Sequence, residues 1–285
     1  MSKQNATAID NLVQDIYDLA ETKSHPARVP SEQIFKDFGS NMETIMREWL
    51  YPKDYSGGTL RMSNIGHPDR KLWFKHRRKE FKGETLKAHT LIKFLYGHLI
   101  EEMLLALVKL SGHDVTDEQK RVELEGIKGS MDCKIDGLLC DVKSTSTYGF
   151  KKFKENTLQY DDPFGYIDQI SGYGQAEGAD EACFLAMDKS NGHLAVSKVN
   201  LIDKDVVARI KHVKSMIELD TMPEACYDLV ADGKSGNMKL PIGCSYCEFK
   251  KHCYPNMRVF AYSTGPRFLA VVNVEPKVME IRNYE

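Results

Sequence analysis

The sequence predicts a mixed α/β domain, for three reasons. A long apolar helix precedes a group of strand-like runs, helices and strands then alternate, and the composition is that of a packed chain: 42% of its 285 residues are hydrophobic and 28% charged. The order helix, strands, helix, strands, helix suits a sheet covered by helices.

Taken in order, residues 1–60 form an N-terminal helical region. Ile9, Leu12, Ile16 and Leu19 recur at helical spacing, and a second helix runs from Ser31 to Leu50. Tyr51–Gly58, with Pro52 and Gly57-Gly58 as breakers, reads as a loop. A helix follows from Leu86 to Leu110, ended by Gly112. Leu91, Phe94, Leu95, Leu99, Met103, Leu104, Leu105 and Val108 cover most of its circumference, which predicts a buried helix. Strands are expected at Lys120–Leu124, Lys128–Asp136 and Leu138–Thr145. The next helix starts with Asp162 as N-cap and Pro163 in the first turn, and carries Tyr166, Gln169, Ile170 and Tyr173. Ala182–Asp188 and His193–Asn200 form a hairpin around Ser190-Asn191-Gly192, a helix covers Leu201–Leu219, and the tail holds one strand-like run, Phe268–Val274.

The bulk properties exclude some classes. No apolar run approaches the roughly 20 residues that span a bilayer, and Met1–Asp10 is polar, without the apolar core of a signal peptide. These features lead us to expect a cytoplasmic protein with no membrane partner. A net charge of −2 gives no general attraction for nucleic acid, so binding there would rest on local patches. One such stretch holds Arg70, Lys71, Lys75, Arg77, Arg78, Lys79 and Lys82, interleaved with Trp73, Phe74 and Phe81. It reads equally as a solvated helix face with apolar anchors or as a surface that tracks phosphates. Three of the seven cysteines cluster at Cys244, Cys247 and Cys253, the others being Cys133, Cys140, Cys183 and Cys226. In a cytoplasmic chain such a cluster suggests metal before disulfide.

The densest chemistry lies between Gly129 and Ser144. Asp136-Gly137 is a strong two-residue hairpin turn, which pairs Ile135 with Leu138 and Cys133 with Cys140 and sets Asp132 opposite Asp141. By the period of two, Met131, Cys133, Ile135, Leu138, Cys140 and Val142 share an apolar face, while Asp132, Asp141 and Lys143 share the other. Two opposed carboxylates repel, and a divalent cation between them would remove the conflict. Lys143 is then placed to stabilise charge on a phosphate under attack by water. The plain alternative is a surface hairpin that tolerates two acids and a lysine. Glu101 weighs against it: the residue aligns with Phe94, Leu105 and Val108 on the apolar helix, where a carboxylate is costly unless paired, protonated or metal-bound. His98, on the same helix, reads as a satisfied helix histidine.

These residues resemble the PD-(D/E)xK nuclease superfamily and, within it, the RecB-like group with the CRISPR-associated RecB-like exonucleases. The family's first-helix acid matches Glu101 in Gly97-His-Leu-Ile-Glu101, its second-motif aspartate matches Asp132, and its acid-x-lysine motif matches Asp141-Val-Lys143. The group's Gln-x-x-x-Tyr motif matches Gln169-Ile-Ser-Gly-Tyr173. The likeness covers residues 61–260, leaving 261–285 as a tail. It implies a restriction-endonuclease-like core, a central mixed β-sheet flanked by helices, with an N-terminal helical region and a C-terminal Cys-cluster staple. It further implies Mg²⁺ or Mn²⁺ held by Glu101, Asp132, Asp141 and the carbonyl of Val142, with Gln169 and Tyr173 lining the site.

Cys244-x2-Cys247-x5-Cys253 resembles the C-terminal part of the iron–sulfur staple of some members. Their fourth cysteine precedes the first core helix, where this chain has Gly66-His67-Pro68 instead. A [4Fe-4S] cluster and Zn²⁺ held by the three cysteines and His67 both stay open, as do three unligated thiols. The implied activity is that of a metal-dependent DNA nuclease, an exonuclease acting on single-stranded or double-stranded ends in recombination, repair or phage DNA processing. A structure-specific endonuclease and a catalytically silent DNA-binding or scaffold protein are the alternatives. A homo-oligomer or a recombination partner protein stays open.

Overall fold

The computed structural model describes residues 3–23, 31–52, 60–282 and 284. They form nine α-helices and eleven strands with two short 3₁₀ turns. The predicted loop at Gly57-Gly58 lies outside the described residues. The chain divides into two compact units, one from Met1–Tyr55, Arg61–Gly66 and Lys87–Ile210, the other from Ser56–Leu60, His67–Leu86 and Lys211–Glu285. No helix among the described residues is long and apolar enough to cross a membrane.

The first unit is a mixed α/β layer structure. Its helices are α1 (Lys3–Thr22), α2 (Glu32–Leu50), and then, after α3 (Asp69–His76) of the second unit, α4 (Ala88–Leu110). Five strands form the central sheet, β1 (Val115–Thr116), β4 (Cys133–Ile135), β5 (Leu138–Thr145), β6 (Glu181–Asp188) and β7 (Leu194–Asn200), in that spatial order. The β5–β6 pair is parallel and the other pairs are antiparallel, so the sheet is mixed. β2 (Arg121–Leu124) and β3 (Ile127–Ser130) make a separate hairpin. The β5–β6 crossover passes through α5 (Thr147–Lys154) and α6 (Tyr166–Glu177), as a parallel connection requires.

On one face of the sheet, Ile9, Leu12 and Ile16 of α1 and Ile100, Leu104, Leu105 and Val108 of α4 pack with Cys133, Ile135, Cys140, Val142, Cys183 and Leu185. Cys133, Cys140 and Cys183 are in register across three strands, buried as free thiols. On the other face Phe153 of α5 meets Phe184 edge-on, with centroids 5.3 Å apart. β5 is therefore buried on both sides.

Several expectations are corrected. α4 is not buried all round: Leu91, Ile92, Phe94 and Tyr96 of its N-terminal half are exposed, and the neighbouring α2 has no buried residue of its own to cover them. The predicted strand at Lys128–Asp136 is two strands, β3 and β4, with the ladder broken at Met131-Asp132. At the break Asp132 turns its backbone carbonyl to the Gln119 N–H (2.9 Å), so it does not pair with Asp141. α6 starts at Tyr166 rather than after Asp162, because Gly165 takes a left-handed conformation (φ 75°) that ends the preceding turn. Asp162 still caps it, accepting from the N–H groups of Gly165 (2.9 Å) and Ile167 (2.8 Å). The helix expected over Leu201–Leu219 is α7 (Val206–Ile217), where the Asp205 carboxylate accepts the Ala208 N–H at 2.8 Å. α5 was not foreseen, although the Ser146 hydroxyl caps it and Phe150 and Phe153 bury at helical spacing.

The second unit holds α3, the end of α7 and a four-stranded sheet of β8 (Val230–Ala231), β9 (Met238–Lys239), β10 (Arg258–Tyr262) and β11 (Gly265–Val271), ordered β10-β11-β9-β8. Two short helices, α8 (Ile242–Ser245) and α9 (Lys250–Cys253), lie between β9 and β10. The strand expected at Phe268–Val274 is thus β11, paired with the unforeseen β10, and the tail is part of a sheet. The basic stretch around α3 favours the structural reading. Arg77 donates to the carbonyls of Ile217 (2.5 Å) and Leu219 (2.6 Å), Arg70 to that of Pro223 (2.6 Å), and the Trp73 indole N–H to Leu219 (2.7 Å). Arg78 pairs with Glu248. The Arg70 and Arg77 guanidiniums satisfy carbonyls at and beyond the end of α7.

Candidate active site

The site is assembled in the first unit by β5, the segment before β4, α4 and α6. β5 carries Asp141, Val142 and Lys143, and the alternation of the strand turns Val142 into the α1/α4 core while Asp141 and Lys143 face the other way. Asp141 is 1% exposed. Its Oδ2 makes a direct ion pair with the Lys143 ammonium, and its Oδ1 accepts from the Gln169 amide at 3.3 Å. Asp132, released from the ladder, accepts the Val142 N–H on Oδ2 at 2.8 Å. That bond ties the second acid to the strand bearing the first.

Burial pushes the Asp132 carboxyl well above the ordinary carboxylate range, and the Asp141 and Glu101 charges add to the shift, against Lys143 and the Val142 N–H. Asp141 is raised by burial and by Glu101, with Lys143 opposing. For Lys143 burial disfavours the charge, yet the Asp141 and Asp132 carboxylates outweigh it and hold the ammonium above the usual lysine range. The result is a buried group of acids that strain against one another round a single cation.

Glu101 reaches this group from α4. It is less enclosed than its apolar neighbours suggested, with 21% of its side chain exposed, and accepts from the Gln119 amide at 3.0 Å. His98 lies 3.9 Å from it, and the contact raises the imidazole pKa. Glu102 is turned aside to Asn41 (2.9 Å). Gln169 and Tyr173 share a face of α6, as their spacing predicted. Burial, first of all, raises the Tyr173 phenol. Gly129 of β3 lies so close to this ring that a Cβ there would sit 2.8 Å from Tyr173 Cε1. The structure thus brings together Glu101, Asp132, Asp141, Lys143, Gln169 and Tyr173. It adds two residues that motif reading did not place in the site: Gln119, on Glu101, and Tyr166, whose ring centroid is 5.0 Å from the Lys143 ammonium. Among the described residues, no three His, Cys, Asp or Glu side chains are positioned to hold a metal ion together.

No family model matches the chain. No curated protein matches it either. Solved structures similar to it include the protein SSO0001, at 14% identity and a TM-score of 0.43, covering 74% of this chain and 93% of that one. Another is an alkaline exonuclease from Laribacter hongkongensis, at 16% identity and a TM-score of 0.40, covering 60% of this chain and 94% of that one. A third is a phage-related exonuclease from Haemophilus somnus 129PT, at 16% identity and a TM-score of 0.39, covering 56% of this chain and 91% of that one.

The clustered cysteines lie in the second unit, on and beside α8 and α9. The Cys247 N–H donates to the Cys244 carbonyl (3.0 Å), the Phe249 N–H to the Cys247 sulfur (3.4 Å), and the Cys253 N–H to the Phe249 carbonyl (3.2 Å). A fourth thiol, Cys226, acts on all three electrostatically. Burial pushes the Cys244 thiol up to about 12, and Cys226, Cys247 and Cys253 act on it in turn. Cys247 and Cys253 are raised by burial and then by Cys226 among others, while Arg70 draws Cys253 down. The groups acting on His67 are different: burial first, then Lys71 and Lys75, lower it to about 3. Cys226 is thus a further candidate for the set beside His67. Its signal in the sequence is faint, a lone cysteine 18 residues before Cys244.

Proposed function

We propose that the chain is a metal-dependent DNA nuclease of the PD-(D/E)xK superfamily, within its RecB-like group, and that it acts as an exonuclease. The observation that carries this reading is the pair of buried carboxylates, Asp132 and Asp141, both raised by burial and gathered beside Lys143. Such a group opposes folding unless it serves a positive ligand.

The chemistry of the donors, rather than their present spacing, suits a hard divalent cation. Oxygen ligands from Glu101, Asp132, Asp141 and the Val142 carbonyl are of the type that Mg²⁺ or Mn²⁺ takes. When bound, the ion polarises a phosphodiester and lowers the pKa of a water ligand. The protein's own groups do the rest. The Val142 N–H holds Asp132 in one orientation, and Gln169 does the same for Asp141. Lys143 stays protonated and supplies the charge that stabilises the pentacovalent phosphate as negative charge builds on it. Gln169 and Tyr173 offer polar groups from one helix face to the DNA strand or to the attacking water.

The test is cleavage of end-labelled single- and double-stranded DNA with Mg²⁺, Mn²⁺ or EDTA. Wild type is expected to cut with metal alone. Lys143→Ala should lose on the order of 10²–10³-fold in rate while binding DNA nearly as before. A folded wild type that cuts nothing, or an active Lys143→Ala enzyme, would overturn the reading.

For the cysteines, we propose that Cys226, Cys244, Cys247 and Cys253 are the ligands of Zn²⁺ or a [4Fe-4S] cluster, thiolates being the donor type that both take. Metal analysis and the visible spectrum of the purified protein distinguish the two. Cys226→Ser should lower the metal content to near zero, and His67→Ala should leave it unchanged. The reverse pattern would restore His67 as the fourth ligand.

A further inference from the structure

A row of aromatic rings leads outward from the catalytic lysine. The Lys143 ammonium lies 5.0 Å from the Tyr166 ring centroid, and Tyr166 lies 5.6 Å from Phe164, their planes 31° apart. The inner ring is anchored, since Tyr166 also meets Phe153 at 6.2 Å and Phe184 at 6.4 Å. The outer ring is open: Phe164 is 49% exposed.

A single exposed phenylalanine is ordinary. This one is held rigidly. Both carboxylate oxygens of Asp162 are bound to N–H groups of the following turn, Gly165 and Ile167. Gly165 adopts φ 75°, and its Cα region is packed on Gly66 so closely that a Cβ would lie 2.4 Å from the Gly66 carbonyl carbon. The turn thus fixes a bare apolar ring at the outer end of a row whose inner end is the phosphate-stabilising cation. Before it, α5 exposes Lys151 and Lys154, and Tyr160 is 82% exposed. Aromatic rings next to cations and beside a phosphate site are the chemistry that receives unpaired nucleobases.

We propose that Phe164, backed by Tyr166, is a stacking platform for a base of single-stranded DNA whose phosphate lies at Lys143. The assignment rests on the nuclease reading for its phosphate end. It commits to a single strand because a base paired within duplex is stacked on its neighbours and does not offer its face to a protein ring. The platform selects strand form rather than sequence, since every base has such a face.

The experiment uses the full chain in EDTA, where no cutting occurs, and a short single strand carrying 2-aminopurine. Stacking on the rings is expected to quench its fluorescence. Phe164→Ala should weaken binding about tenfold and abolish the quench, and Phe164→Trp should restore both. On a strand with abasic sites, wild type and Phe164→Ala should bind alike, as should the two on blunt duplex. With metal added, Phe164→Ala should raise KM and leave kcat within about twofold. Equal affinity of Phe164→Ala and wild type for the normal strand would overturn the platform, as would an equal loss on the abasic strand. A wild type that quenches without ever cutting would keep the platform and remove the nuclease reading; one that cuts without quenching would do the opposite.

Discussion

Asp132→Asn is expected to stabilise the metal-free protein while abolishing its activity. The wild-type carboxylate is buried, raised well above its normal range, and repelled by Asp141 and Glu101. An amide keeps an oxygen for the Val142 N–H, now at 2.8 Å from Asp132 Oδ2, and removes the charge. Relief of such a functional conflict is typically worth about 0.5–2 kcal/mol, seen as a rise in melting temperature in EDTA. The same change deletes one proposed ligand, and DNA cleavage should fall on the order of 10³-fold. Adding Mg²⁺ should then narrow the stability gap, because the ion binds the folded wild type better. A variant less stable than wild type in EDTA would mean that Asp132 is a structural acid.

The second large effect is expected at Gly165. With φ at 75° and backbone atoms of Gly66 against it, Gly165→Ala meets two penalties at once. Left-handed strain costs a non-glycine residue on the order of 1 kcal/mol. A Cβ placed 2.4–2.6 Å from the Gly66 backbone demands movement of one main chain past another. Together they should cost about 3 kcal/mol or more, measured by denaturant unfolding. The loss should extend to function, since the turn positions Phe164 and the start of α6 with Tyr166 and Gln169. By contrast Gly178→Ala, also left-handed (φ 65°) but with open space around it, should cost only the conformational part. Equal losses at the two glycines would show that the close approach at Gly66 contributes nothing.

The strands that build the site were legible because their signals are local. The Asp136-Gly137 turn and the alternation of Cys133, Ile135, Leu138, Cys140 and Val142 predicted the observed β4–β5 register. The i, i+4 spacing of Gln169 and Tyr173 placed both on one face of α6. What escaped depends on contacts distant in sequence. The ladder breaks at Asp132 because Gln119 takes its carbonyl, a bond across 13 residues with no pattern to mark it. α6 starts late because Gly165 meets Gly66, 99 residues away. The apolar run of α4 looked like a core helix all round, yet burial depends on what stands beside each turn, and only its C-terminal half lies on the sheet.

One feature of the sheet bears on how this chain can drift over generations. β5 is buried on both faces, and its alternate side chains serve two masters: Leu139 and Asp141 point one way, Cys140 and Val142 into the opposite core. Replacement along that strand disturbs the heart of the molecule whatever it does to chemistry. Asp132 stands off the ladder, and Glu101 sits at a partly open turn of α4. If the proposed reaction is this chain's, copies that have lost it but kept the shape are expected to have changed at these two margins first, leaving the run from Leu138 to Val142 as the last part of the ancestry to fade.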